Sequence, residues 1–211
     1  LQHADGPAAQ DTAAVLEAVT RDGSALQFAP HTLRADADVV TKAVTAPAGD
    51  GRAGDALAYA DEELRAAATI VLSAVKVAPQ ALQHAAPELL ADRKFAEKAV
   101  KLDWRCLASV AKDLRADKKL VESALKQSAD ALALTPLDAD PKVALVAVKK
   151  DGLALCHCRP SAQTKDVVLA AVKQNVEALQ FVADESLLRD KDVVAAAKKR
   201  GVVLEGDDED E

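Results

Sequence analysis

The chain is 211 residues long and half apolar, with 27 basic against 34 acidic side chains, so it has the means to bury a core and no need to be disordered. Six of the acids, Glu205, Asp207, Asp208, Glu209, Asp210 and Glu211, carry most of the net charge of -7; without them 28 acids face 27 bases, a near-neutral body lacking the broad basic excess of a nucleic-acid binder. With 47 alanines but only three Phe, one Tyr, one Trp and no Met, an aromatic-lined ligand pocket is not expected, and the abundance of the best helix former points to closely apposed short helices.

The longest apolar stretch, Ala66 to Val75, stops at Lys76, well short of the roughly 18 residues that a membrane span requires, so no segment is expected to cross a membrane. Three cysteines, two of them two residues apart, make no disulfide framework and point to a reducing compartment, cytoplasm or organelle interior.

In chain order the sequence repeats itself about every 25 residues, the mark of a solenoid. Numbered from a position 0 at Asp11, Asp36, Ala67, Asp92, Asp117, Asp140, Thr164 and Asp190, the repeats are 25, 31, 25, 25, 23, 24 and 26 residues apart. Position +7 is always Ala: Ala18, Ala43, Ala74, Ala99, Ala124, Ala147, Ala171 and Ala197. Apolar pairs at +3 and +4, such as Val39-Val40, Ile70-Val71 and Val167-Val168, join +7 and +8 in one helical stripe. Position 0 reads as the N-cap of that helix, because an Asp carboxylate accepts from the unpaired amides of the first turn. A turn follows near +12, at Gly23, Gly54, Pro79 and Gly152, and then a second helix with Leu at +15: Leu26, Leu57, Leu82, Leu107, Leu132, Leu155 and Leu179. Each repeat is expected to be an αα-hairpin. Helices of two or three turns cannot stand alone in water, so the expected fold is all-α: one α-solenoid of stacked hairpins over residues 1–204, with a partial hairpin at 1–10 and an acidic tail at 205–211. Leu1-Gln2-His3-Ala4 matches Leu82-Gln83-His84-Ala85, so the chain is expected to start inside a repeat of a longer precursor.

These residues resemble a family of short helical repeats known only as a domain of unknown function, found in algae, dinoflagellates, other protists and some intracellular bacteria. Its pattern is Asp, two variable residues, Val-Val, then Ala-Val-Lys, a turn, Ala-Leu-Gln-aromatic-Ala and a closing Leu-Arg-x-Asp. Asp166-Val167-Val168-Leu169-Ala170-Ala171-Val172-Lys173, Ala178-Leu179-Gln180-Phe181 and Leu33-Arg34-Ala35-Asp36 are similar to it. The resemblance spans nearly the whole chain before the tail and brings no catalytic residues. From the family's distribution it implies, as a setting, a peripheral subunit of an organellar assembly such as a photosynthetic supercomplex.

The repeat register disposes of the tempting chemistry. Cys156-His157-Cys158 looks like a ligand cluster, yet residues two apart on a helix point about 200° apart, and His157 falls at +17, the slot held elsewhere by Phe28, Tyr59, His84, Leu134 and Phe181. His31 has no Ser or Cys partner, so no nucleophilic triad is built. No metal, cofactor or catalytic set is expected. Three features remain as candidate protein-binding residues. The second repeat's turn is lengthened by six residues, Ala46 to Gly54, and carries Asp50 and Arg52 without the Gly-Lys-Ser/Thr end of a phosphate loop. Trp104, followed by Arg105, stands at the +12 turn instead of on the stripe. Lys76, Lys101, Lys126, Lys149, Lys173 and Lys199 recur at +9, where they favour the helix macrodipole and would form a ladder along the turn edge of a stack. The expected function is a non-enzymatic protein-binding scaffold, or a peripheral subunit of a larger complex; the alternative is a helical-repeat nucleic-acid reader that uses the Lys ladder. The tail, a block of like charges, is expected to be extended and solvated; the alternative is that it folds back along Lys173 and Lys149 and competes there with an acidic partner.

Overall fold

The computed structural model describes residues 8–46 and 54–204, and these are helical with no strand. Position 0 caps the long first helix of most repeats. The carboxylate of Asp36 accepts from the amides of Asp38 and Val39 at 2.9 and 3.1 Å and opens α3 (Ala37–Thr45). Asp92 accepts from Phe95 at 2.8 Å and opens α7 (Arg93–Leu102), and Asp117 accepts from Lys119 and Leu120 at 3.0 Å and opens α8 (Lys118–Gln127). Asp140 and Asp190 do the same for α9 (Pro141–Lys150) and α12 (Lys191–Lys198). Ala67 and Thr164 precede α5 (Ala68–Val77) and α10 (Lys165–Gln174) without a side-chain cap. The first repeat departs from the expectation: α1 (Ala8–Arg21) begins three residues before Asp11, which is therefore inside the helix and not its N-cap.

The expected stripe is the core. Ile70, Val71, Ala74 and Val75 are buried on α5, as are Leu120, Val121, Ala124 and Leu125 on α8 and Val167, Val168, Ala171 and Val172 on α10. The +7 alanines from Ala43 to Ala197 are at most 2% exposed. With only a methyl at that position, neighbouring helices approach closely.

The second limb is not the α-helix expected of an αα-hairpin. It is a five- or six-residue 3-10 helix, as at Pro79–His84, Ala129–Leu134 and Gly152–His157, and a single turn usually follows: α2 (His31–Arg34), α4 (Glu62–Arg65), α6 (Pro87–Leu90) and α11 (Glu185–Leu188). The reason is visible in the spacing. The column Leu at +15 and the small residue at +18 are both buried, as in Leu26 with Ala29, Leu82 with Ala85 and Leu155 with Cys158. Three residues apart, they stand directly in line on a helix of three residues per turn, whereas on one of 3.6 they would share a face about 60° apart. In those three repeats the amide at +18 donates to the carbonyl at +15 at 3.0–3.1 Å. The limb is short enough for this tighter winding, and a polar residue at +11 opens it: Asp22, Asp103, Ser128, Asp151 and Asn175 each accept from the amide two residues on. Leu26 to Leu155 in the Leu column are fully buried, whereas Leu179 is half-buried.

The chain divides into two compact units, Leu1–Leu114 and Arg115–Glu211. In the first, α1 packs on α3, α3 on α5 and α5 on α7, and the 3-10 limbs Gly23–Phe28, Asp55–Tyr59, Pro79–His84 and Trp104–Ala108 pack in the same order. In the second, α8 packs on α9, α9 on α10 and α10 on α12, and Gly152–His157 touches the limbs before and after it.

A recurrent hydrogen bond joins successive repeats. The amide at +19 donates to the carbonyl two residues before its own repeat's position 0, at the end of the preceding repeat: Asp61 to Arg34 and Ala86 to Arg65 at 2.9 Å, and Ala111 to Leu90 and Arg159 to Asp138 at 3.0 Å. Pro136 holds +19 in the fifth repeat and has no amide hydrogen to give. There the neighbouring Thr135 hydroxyl donates to the Arg115 carbonyl at 2.7 Å instead. In the seventh repeat the amide of Ala183 donates to Oε1 of Gln163 at 2.8 Å, and Gln163 Nε2 donates to the carbonyl of Phe181 at 3.0 Å.

Candidate functional site

In six of the long helices the last i→i−4 bond runs from the amide at +11 to the +7 Ala, as in Ala78 to Ala74 at 2.9 Å and Asp103 to Ala99 at 3.1 Å, after which the chain turns into the 3-10 limb. The +9 lysines therefore sit in the last helical turn. Lys76 and Lys101 in the first unit and Lys126, Lys149 and Lys173 in the second are all exposed. None of these five side chains has an ion pair or hydrogen bond among the described residues. Other lysines are employed. Lys118 meets the N-cap Asp140 at 2.6 Å, and Lys165 meets Asp190 and Asp192 at 2.8 and 2.7 Å, so that the residue opening one helix is tied to the next repeat's cap. The Lys118 ammonium holds the Asp140 carboxyl below the usual carboxylate range, and Lys165 does so for Asp190.

Trp104 is half-buried and is not a fully exposed anchor. The Arg105 guanidinium lies 5.2 Å from its ring centroid and also meets Asp103 at 3.1 Å, so the indole and the cation form one local unit at the start of the limb Trp104–Ala108. Asp50 and Arg52 lie outside the described residues, as do the acidic tail 205–211 and residues 1–7.

The Cys-His-Cys run separates as its register requires, though on a 3-10 helix. Cys156 is exposed and Cys158 buried, its thiol donating to the carbonyl of Ala154 at 3.6 Å. Burial pushes the Cys158 thiol up to about 12, and the Cys106 thiol likewise, far from the range of a nucleophilic thiolate. His157 lies 3.8 Å from Asp130, and His84, in the same slot of the third repeat, lies 3.7 Å from Asp55. The +17 histidines thus face a carboxylate of the preceding repeat. Among the described residues, no group of three or more His, Cys, Asp or Glu could hold a metal ion, and no helix is long and apolar enough to cross a membrane.

Two features escape the sequence reading. Arg34, Arg65 and Arg115 share the position two before the next repeat, and each has its Nε buried with no hydrogen-bond partner. Their only sequence signal is a recurring Leu-Arg pair. A shallow depression of about 150 Å³ beside Arg34 is lined by His31, Tyr59, Asp61 and Glu62, and His31 meets Asp61 at 3.2 Å across it. The other feature is position +10, next to each Lys, whose chemistry differs between the units. It is Gln127, Lys150, Gln174 and Arg200 in the second but Arg21, Ala46, Val77 and Leu102 in the first, the last two 41% and 43% exposed.

The model of a domain of unknown function (DUF4116) matches the chain twice in succession, over residues 14–65 and 69–115. Those two stretches take in the first four long helices and the limbs that follow them. No curated protein and no solved structure matches the chain. The first half of the chain is thus similar to a helical repeat of unknown function, the kind of resemblance carried by Leu33-Arg34-Ala35-Asp36.

Proposed function

We propose that the chain is a non-enzymatic protein-binding scaffold in which the repeats of each unit build a short α-solenoid, and that the exposed ends of its long helices hold another protein. The observation that carries this reading is the row of exposed, unpaired +9 lysines, one in each of five successive repeats from Lys76 to Lys173, at the place where each long helix ends. A charge recurring at one place in successive repeats is suited to an extended partner, and exposed cations steer association with an acidic surface. The raised pKa of the buried Cys106 and Cys158 fits packing groups better than nucleophiles.

The test is capture by the tagged chain from a lysate of its source, with and without nuclease, beside a variant in which the five lysines are Gln. Gln keeps helix propensity and leaves far-UV circular dichroism unchanged. The expected result is a set of proteins retained after nuclease and lost from the variant. Capture that disappears with nuclease would transfer the Lys row to a nucleic acid, and equal capture by the variant would remove it from the binding surface.

A further inference from the structure

The side chain at +10 has a structural task in the second unit that it lacks in the first. Lys150 Nζ donates to the carbonyl of Lys126 at 2.7 Å, Gln174 Nε2 to the carbonyl of Lys150 at 3.4 Å, and the Arg200 guanidinium to the carbonyl of Lys173. Each reaches the preceding repeat's helix C-terminus, where the last carbonyls have no intrahelical partner. In the first unit the position is Arg21, paired with Glu17 on its own helix, then Ala46, and in the third and fourth repeats Val77 and Leu102, which can donate nothing and stand more than 40% exposed. Aliphatic side chains on an outer edge, where polar ones would cap the preceding helix, leave apolar area there that a partner can bury.

The surroundings say what kind of partner. Lys76 and Lys101 precede Val77 and Leu102 and are unpaired; Trp104 and Arg105 follow Leu102. The helix α5 has no acidic residue, and Glu97, the one acid of α7, is paired with Arg93 at 3.4 Å. The limbs Pro79–His84 and Trp104–Ala108 contain none, and the Asp103 carboxylate before the latter is taken by Arg105. Since α5 packs on α7, equivalent positions on the two helices are about 8–10 Å apart. At roughly 3.4 Å per residue, an extended chain covers that step in about three residues.

We propose that this edge of the first unit docks a short acidic segment of a partner protein that also carries apolar side chains, with its carboxylates on Lys76 and Lys101 and its apolar groups on Val77, Leu102 and Trp104. The inference rests on the protein-binding reading above and gives that partner a chemistry. Valine and leucine offer a base no face on which to stack, so a polypeptide suits the edge better than a nucleic acid.

The experiment uses the full chain and three labelled probes in fluorescence anisotropy: a short Glu-rich peptide carrying Leu and Phe, the same peptide with Leu and Phe replaced by Ser, and an oligouridylate of equal charge. Trp104 is the protein's only tryptophan, so its emission reports occupancy of this edge directly. The apolar peptide should bind about tenfold tighter than its Ser counterpart, which corresponds to about 1.4 kcal/mol, and should shift the Trp104 emission. Val77→Gln with Leu102→Gln should abolish that margin and leave the Ser peptide's affinity unchanged; Gln already serves at +10 in the second unit, so folding is kept. Lys76→Gln with Lys101→Gln should weaken both peptides. Equal affinity for the two peptides, a margin that survives in the apolar double variant, an unmoved Trp104 emission, or tightest binding of the oligouridylate would each overturn the proposal. Lysate capture that depends on the Lys row, found together with equal peptide affinities, would leave the broader reading standing and sink this one alone.

Discussion

Gly152→Ala tests the close approach between repeats. Gly152 opens the limb Gly152–His157 of the second unit with its φ outside the left-handed region, so alanine is conformationally permitted there. At such a site Gly→Ala normally stabilises by about 0.4–1 kcal/mol through the unfolded chain. Here a Cβ would stand 2.5 Å from the carbonyl oxygen of Ala171, 2.8 Å from Gln174 Oε1 and 3.0 Å from the amide nitrogen of Asn175. Two of the three obstacles are backbone at the end of α10, so the limb or the helix must move by several tenths of an ångström. That overpacking costs about 1–3 kcal/mol. It also disturbs the bond from the Gly152 amide to Gln174 Oε1 at 2.6 Å, for which a further loss of about 1 kcal/mol is ordinary. The sign therefore reverses: the variant should be less stable by about 1–3 kcal/mol. Urea unfolding followed by far-UV circular dichroism reads this, with an unchanged slope confirming that the native state has not expanded. A variant as stable as the parent, or more stable, would show that the limb and α10 are not in the contact described.

Thr135→Val should cost about 1–3 kcal/mol, because it leaves the Arg115 carbonyl without the hydroxyl at 2.7 Å, and adding Pro136→Ala, which restores an amide at +19, should recover part of that loss in the same urea assay. Asp140→Asn keeps an N-cap but removes the ion pair with Lys118, which is 59% exposed and so worth only about 0.5–1 kcal/mol. Since the folded carboxyl titrates below its unfolded value near 4, this difference should be full above pH ~5 and vanish as pH falls through the folded pKa, as thermal melts across that range would show. In the native protein N-ethylmaleimide should label Cys156 alone, and Cys106 and Cys158 only after denaturation; mass spectrometry of the adducts decides it.

The long helices and their core face are legible in the sequence because a period of 3.6 residues forces Val167, Val168, Ala171 and Val172 onto one side, and an Asp just before such a stripe has little other use than a cap. The second limb is legible in position but not in type. Six residues with Leu at +15 carry too short a pattern to separate three residues per turn from 3.6, and alanine, the commonest neighbour, favours the wrong answer. The second caps at +11 go unseen for a different reason: Asp103, Ser128 and Asn175 do one job with three side chains, so no column of identical letters reveals them. The start of α1 ahead of Asp11 shows the limit of extending a register to the first repeat. At the candidate edge, the Lys row is plain in the letters, but whether each Lys is paired depends on the neighbouring repeat. That dependence separates Lys76 and Lys101 from Lys118 and Lys165.

What joins the repeats also decides which positions are at liberty to carry function. The recurrent bond between +19 and the end of the previous repeat uses main-chain groups, so the side chains there vary without consequence for the bond: Asp61, Ala86, Ala111 and Arg159 donate, and Arg34, Arg65, Leu90 and Asp138 accept. Where proline removes the donor, a hydroxyl one residue away replaces it, which implies that the contact is worth keeping even at a net value near 1 kcal/mol. Below this bond lies a core of Ala, Val and Leu whose demands are met on the buried faces of both limbs. The outward positions at the helix ends are then bound by neither the backbone bond nor the core. In the second unit they are partly reclaimed, because Lys150 and Gln174 cap the preceding helix. In the first unit they are not reclaimed, and the burial of Leu82 and Leu107 behind them does not depend on whether +10 is polar. Val77 and Leu102 therefore answer to no capping requirement of the preceding helix, which leaves them available for the docking role proposed above.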